Sequence, residues 1–234
     1  NSLETVKAVN HAIEMGHKVV RADLGQGKEG FAVDKACLEM LVDKHALKFE
    51  AIDKMPEGKE ITSKIVYAPA MSTAYFALEA MGFDVVTDAS KADVLVTDSG
   101  SLDPELIGTK PMVAIGGSAM AAIGESGKIA GLEVKTTDFY HEGLLKSTNN
   151  ASSMYSLGYA SDDTMYSSSG TWIEKLPAGF TALSTVKNTG DYFVAGWWPG
   201  HEQVKGKVMS AVGMVNGQKT VLYAGNLTNR LHTQ

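Results

Sequence analysis

The feature that most narrows what this chain can fold into is a series of short apolar runs, each closed by a turn or helix signal. Lys64-Ile-Val-Tyr-Ala68, Asp84-Val-Val-Thr87, Asp93-Val-Leu-Val-Thr97 and Pro111-Met-Val-Ala-Ile115 read as strands. Their apolar residues are consecutive rather than alternating, the pattern of strands buried on both faces. After the first run, Ser72 is placed to cap a helix over Thr73 to Met81, and Gly82 to end it. The last run leads into Gly116-Gly117-Ser118 and a helical stretch over Ala119 to Ile123. Strands alternating with helices predict an α/β fold: a three-layer sandwich around a mostly parallel sheet.

This pattern occupies residues 61–234, and 1–60 read as a small α/β lead-in segment. Within the lead-in, Leu3 to Met15 carries apolar residues at helical spacing and Lys18 to Ala22 reads as a strand. Gly25 to Gly30 is a turn, Lys35 to His45 a helix, and the alternation of Leu47-Lys-Phe-Glu-Ala-Ile52 predicts a second strand. The polar Asp53 to Glu60, with its Pro and Gly, reads as the boundary. After Gly131 the texture turns Ser-, Thr-, Gly- and Tyr-rich, until Val208 to Val215 and Thr220 to Tyr223 flank Asn216-Gly217. Asn-Gly between apolar runs is a hairpin signal.

Composition closes off several function classes. The net charge is −6 with Lys residues scattered, so no concentrated basic face is offered to nucleic acid. A single Cys37 leaves no internal disulfide and no multi-cysteine metal site, and its apolar helical neighbours read as core packing. No apolar run approaches the roughly 20 residues of a spanning helix. Of the six His only His11 is followed three positions later by Glu, at Glu14, and the adjacent pairs His141-Glu142 and His201-Glu202 lack ligand spacing, so no zinc-peptidase metal site is read here.

Several constellations bear on chemistry. Gly25-Gln-Gly27-Lys-Glu-Gly30 matches the dinucleotide fingerprint, but Phe31 to Asp34 separate it from the next helix, and the plain reading is a hairpin tip. Gly116-Gly117-Ser118 lies at a strand-to-helix turn, where hydrolases expose a nucleophile beside backbone N–H donors. Ser118 has Gly two positions before it but Met120 two after, so a packing turn is the competing reading. His201 and Glu202 supply a base and an acid in the right chain order, although adjacent side chains point apart. Trp197 and Trp198, before Pro199, read as a rigid loop with one ring buried and a binding or interdomain surface.

Ordered stretches along the chain resemble the glutamine-amidotransferase-like domain that follows the catalytic domain in some bacterial zinc-carboxypeptidase-like proteins. Lys64-Ile-Val-Tyr with Tyr75 to Asp84 is similar to that domain's opening strand, helix and Gly-Phe-Asp. Asp93-Val-Leu-Val, Val113 to Gly117, Ala195-Gly-Trp197, Gly206-Lys207 and Asn229 to Gln234 follow in the family's order. The resemblance implies a class I glutamine-amidotransferase-like (flavodoxin-like) core that has lost its nucleophile. It implies an accessory role, with Gly116, Gly117, Trp197 and Trp198 contacting ligand or partner. The partner would be the catalytic peptidase domain of the same parent chain, and the substrate a peptide or cell-wall component. The chain would then be a piece of a longer bacterial protein, secreted or in the cell envelope, with no cofactor of its own and zinc only in the missing catalytic domain. The alternative is a serine-type hydrolase or amidotransferase-like enzyme using Ser118, His201 and Glu202.

Overall fold

The structure, a computed structural model, describes residues 3–23, 29–139, 142–156 and 159–228. The lead-in forms its own unit of two helices and a three-stranded sheet. Its elements are α1 (Leu3–Glu14), β1 (Val19–Asp23), β2 (Glu29–Val33), α2 (Lys35–Lys44) and β3 (Lys59–Ile61), with β1 central and antiparallel to both neighbours. Asp34 caps α2 by accepting from the Cys37 amide at 2.7 Å. Cys37 is buried with Ala8, Ala12, Val19 and Leu41, and burial pushes its thiol pKa up, so it packs as an apolar residue.

One expected strand does not form. Leu47 to Ile52 has no regular structure, and Phe49 and Ile52 are exposed, with no second layer to bury them. The edge of β1 is taken instead by Lys59 to Ile61, from the stretch read as a boundary. Gly58 permits this: a Cβ there would stand 2.2 Å from the Arg21 carbonyl oxygen.

The main sheet has two halves. The first contains β4 (Ile65–Tyr67), α3 (Thr73–Ala80), β5 (Asp84–Val86), β6 (Val94–Thr97), β7 (Met112–Ile115) and α4 (Gly116–Glu125). Its strands run parallel in the order β5, β4, β6, β7. Side chains along these strands alternate between two cores, as a period of two requires. Leu95, Met112 and Ala114 meet Ala119, Met120 and Ile123 of α4, whereas Val96 and Ile115 meet Ala74 and Leu78 of α3. The helices therefore cover opposite faces. Ser72 caps α3 by accepting from the Tyr75 amide at 3.0 Å, and Gly82, at φ 76°, follows its end.

The second half comprises β8 (Glu133–Thr136), β9 (Gly143–Asn149), β10 (Asp162–Ser167), β11 (Thr171–Lys175), β12 (Thr181–Val186), β13 (Phe193–Gly196), β14 (Val208–Val215) and β15 (Gln218–Tyr223). Its main path runs β10, β9, β12, β14, β15, antiparallel throughout. Asn216 (φ 49°) and Gly217 (φ 78°) make the turn between β14 and β15, both left-handed as a two-residue hairpin of this kind requires. Strand β15 then pairs in parallel with β7, Leu222 opposite Ala114, and joins the halves.

Glu174 links β11 to the start of β14 by accepting from Lys207 Nζ and Trp172 Nε1, each at 2.7 Å. These bonds, Lys207 first, hold its carboxyl below the usual carboxylate range.

Two outcomes follow from this packing. Leu222, fully buried at the junction, should cost about 2–5 kcal/mol when replaced by Ala, read as a lower denaturation midpoint in urea. The Glu174 carboxyl binds its proton more weakly folded than unfolded. Its contribution is therefore present above the ordinary carboxylate range and lost as pH falls through the lowered folded value. Glu174→Gln should flatten the acid limb of a stability-against-pH curve while lowering stability at neutral pH.

Candidate functional site

In a parallel sheet flanked by helices, ligands lie beyond the carboxyl ends of the strands. The turns after β4, β6, β7 and β15 therefore define the place to look. After β6, the Asp98 Oδ2 accepts from Thr73 Oγ1 at 2.7 Å and from the Ala74 amide at 2.8 Å, so it closes the first turn of α3. Its other oxygen, Oδ1, is shut off from solvent and has no hydrogen-bond partner. Thr73 Oγ1 also lies 2.9 Å from Thr228 Oγ1, beyond β15. Asn226 Oδ1 accepts from the Thr228 amide at 3.1 Å and from its hydroxyl at 3.3 Å. The rim is thus tied together across three strand ends.

The turn after β7 is the elbow. Its strained residue is Gly116, at φ 83° and buried, and it is the first residue of α4. A Cβ on Gly116 would meet only the Asn226 Cβ, at 3.9 Å. Gly117 is confined by neighbours: a Cβ there would stand 2.6 Å from Thr171 Oγ1 and 3.1 Å from the Ser169 Cβ. At such elbows the nucleophile occupies the strained position, because that turn lifts its side chain clear of the sheet. Here the position holds a residue without a side chain. Ser118, two residues on, lies exposed in the first turn of α4.

Ser118 makes no side-chain hydrogen bond among the described residues. His201 is engaged elsewhere, its Nδ1 2.6 Å from the Tyr192 hydroxyl and its ring stacked on Phe193 at 4.0 Å between centroids. Burial raises the Tyr192 pKa, with Glu202 adding to the shift, so the phenol remains a neutral partner for the imidazole. Among the described residues no hydrogen bond joins Ser118 to His201 or His201 to Glu202, and Glu202 is exposed. A general base acts within hydrogen-bond reach of the proton it takes.

The paired tryptophans separate. Trp198 is 2% exposed and donates from Nε1 to Thr137 Oγ1 at 2.9 Å, anchoring the loop, whereas Trp197 is 61% exposed. In the fingerprint stretch, Gly25 and Gly27 lie outside the described residues, and Gly30 sits within β2, so the motif runs into a strand rather than a helix. The closing stretch Asn229 to Gln234 also lies outside the described residues. Among the described residues no three His, Cys, Asp or Glu side chains gather as metal ligands, and no helix is long and apolar enough to cross a membrane.

Sequence reasoning missed Asp98, Asn226 and Thr228. The available signal was position: Asp98 follows directly on the apolar run ending at Thr97, and Asn226 follows the last strand by three residues. Residues just past a parallel strand's carboxyl end are the ones such a sheet presents to ligand.

The chain matches no family model and no curated protein sequence. Among solved structures it is similar to a GMP synthase component from Thermoplasma acidophilum. The identity is 15% and the TM-score 0.50, over 74% of this chain and 88% of that one. A glutamine amidotransferase from Thermotoga maritima is 8% identical with a TM-score of 0.45, over 70% of this chain and 75% of its own. One from Methylobacillus flagellatus is 9% identical with a TM-score of 0.43, over 72% and 71%. The fold is that of the class I glutamine amidotransferases, a flavodoxin-like α/β arrangement.

The two elbow glycines should respond differently to a methyl group. Gly116→Ala meets only an ordinary contact with Asn226 and should cost about 1 kcal/mol for its left-handed backbone. Gly117→Ala drives into Thr171 and Ser169 and should cost about 1–3 kcal/mol. Paired urea denaturation curves check the order.

Proposed function

We propose that the chain is a non-catalytic, glutamine-amidotransferase-like accessory domain of a zinc-carboxypeptidase-like peptidase. It supports recognition of a peptide or cell-wall substrate by the catalytic domain of the same parent chain, in a secreted or cell-envelope protein. The observation that carries the non-catalytic half is Gly116, which leaves the strained turn after β7 with no side chain to attack a substrate. The engagement of His201 by Tyr192 supports it too, since among the described residues no hydrogen bond joins Ser118 to a base. The peptidase half rests on the ordered resemblance of Lys64 to Gly117 and Ala195 to Lys207. Trp197, exposed beside an anchored Trp198, offers an aromatic contact for the partner domain.

A second reading keeps Ser118 as nucleophile, His201 as base and Glu202 as its orienter. The amidotransferase-like fold favours it, because enzymes of that fold place their chemistry at this turn. The two readings separate by turnover. The accessory reading expects the purified protein to hydrolyse neither glutamine nor activated esters above background, with Ser118→Ala indistinguishable from the parent. The enzymatic one expects turnover that falls roughly a millionfold in Ser118→Ala. For the partner contact, Trp197→Ala should weaken association with the catalytic domain, and unchanged association would reject Trp197 as the contact.

A further inference from the structure

Beside the rim lies a cavity of about 200 Å³, between the loop bearing Tyr155, Ser156 and Tyr159 and strands β9, β10, β12, β14 and β15. It reaches Gly225, Asn226 and Leu227, and so adjoins the elbow through Asn226. Among the described residues its walls contain no Asp, Glu, Lys, Arg or His. They combine the tyrosines Tyr155, Tyr159, Tyr166 and Tyr223 with serine, threonine and asparagine side chains and a few Met and Leu.

The hydroxyls of Ser156 and Ser210 border this space on residues 5% and 4% exposed, and neither has a side-chain hydrogen bond among the described residues. Neither oxygen is sealed from solvent, so both hydroxyls open onto the cavity and can pair with an occupant in place of water. The Ser147 hydroxyl makes only long contacts, 3.4 Å to the Asp163 carbonyl and 3.5 Å to Asn149. Tyr223 donates to the Tyr155 carbonyl at 3.3 Å. Burial, with Tyr159 and Tyr155 nearby, pushes the Tyr223 pKa up to about 12, and burial with Asp163 raises that of Tyr159. These two tyrosines of the cavity wall therefore stay neutral at physiological pH.

We propose that this cavity binds a single uncharged, polyhydroxylated ring, a neutral sugar unit. The unpaired serine hydroxyls both donate and accept, which matches the hydroxyls of a sugar, and tyrosine faces match the C–H faces of its ring. A charged ligand finds no counter-ion among the described wall residues, so glutamine, free amino acids, carboxylates and phosphates are disfavoured by desolvation. The volume is below the roughly 300 Å³ at which drug-sized ligand pockets begin, which limits the occupant to about one ring. The site goes beyond the accessory reading and does not depend on a peptidase parent.

Calorimetric titration of the full chain with glucose, N-acetylglucosamine, glucuronate and an N-acetylated dipeptide amide tests it. Saturable binding of a neutral sugar is expected, with glucuronate weaker by about tenfold or more. Tyr223→Phe, which keeps the ring, and Ser210→Ala should each weaken the sugar by roughly fivefold to tenfold. Ser210→Leu, which fills the space, should abolish binding; should it fail to fold, the two milder variants still decide. No saturable sugar binding, equal binding of glucuronate, preference for the dipeptide amide, or indifference to Tyr223→Phe and Ser210→Ala overturns the proposal. The readout is equilibrium binding, so its failure leaves the turnover-based account of Gly116 and Ser118 untouched, and the reverse holds as well.

Discussion

Strand β15 hydrogen-bonds to β7 in parallel on one side and to β14 in antiparallel on the other, and the two halves of the sheet meet along it. The chain builds β4 to β7 early and returns to them only after more than a hundred residues, from Ile115 to Gln218. That long return is stabilised by burial rather than by local propensity: Leu222 packs into the core assembled largely from β7, α4 and β14, and Val221 beside it is buried as well. The same strand sets the site. Because β15 runs parallel to β7, its carboxyl end emerges beside the elbow and delivers Asn226 and Thr228 to the rim. A one-residue slip would turn Leu222 out of the core and carry Asn226 away from Gly116.

On the accessory reading, the site that results holds its place without arming a reaction. Asp98 spends one oxygen on α3 and keeps the other buried and unpaired, an expensive arrangement fixed by the turn after β6. Gly116 takes the left-handed conformation that the strand-to-helix turn demands at little steric cost, and in doing so leaves the turn bare. The imidazole that could have served as a base is stacked on Phe193 and bonded to Tyr192, in a cluster that secures the loop carrying Trp198. In each case the stabilising contact uses the group that chemistry would need.

How much of this could be read from residues differs by region. The parallel strands, the Ser72 cap and the Asn216-Gly217 hairpin were legible because each signal is local: a doubly buried run, a capping side chain, a turn needing positive φ. The antiparallel half was not, since Gly143 to Asn149 and Asp162 to Ser167 are rich in Ser, Thr and Asn, and their pairing partners lie far along the chain. Leu47 to Ile52 misled for the opposite reason: its alternation is real, but only Leu47 reaches a core, and Phe49 and Ile52 stay exposed. The strand-to-helix turn is legible where β7 meets α4, and its residues offer Ser118 as the reactive candidate. What sequence could not give was the backbone angle at Gly116, which decides whose side chain would project. The Tyr-walled cavity was invisible because its walls come from five strands and a loop.

On the accessory reading, the elbow carries no activated nucleophile. Its most direct test is incubation of the folded protein with a serine-reactive fluorophosphonate, followed by intact-mass measurement and peptide mapping. An unmodified mass is expected, or slow labelling that is unchanged by His201→Ala. Stoichiometric labelling of Ser118 that disappears in His201→Ala would contradict it.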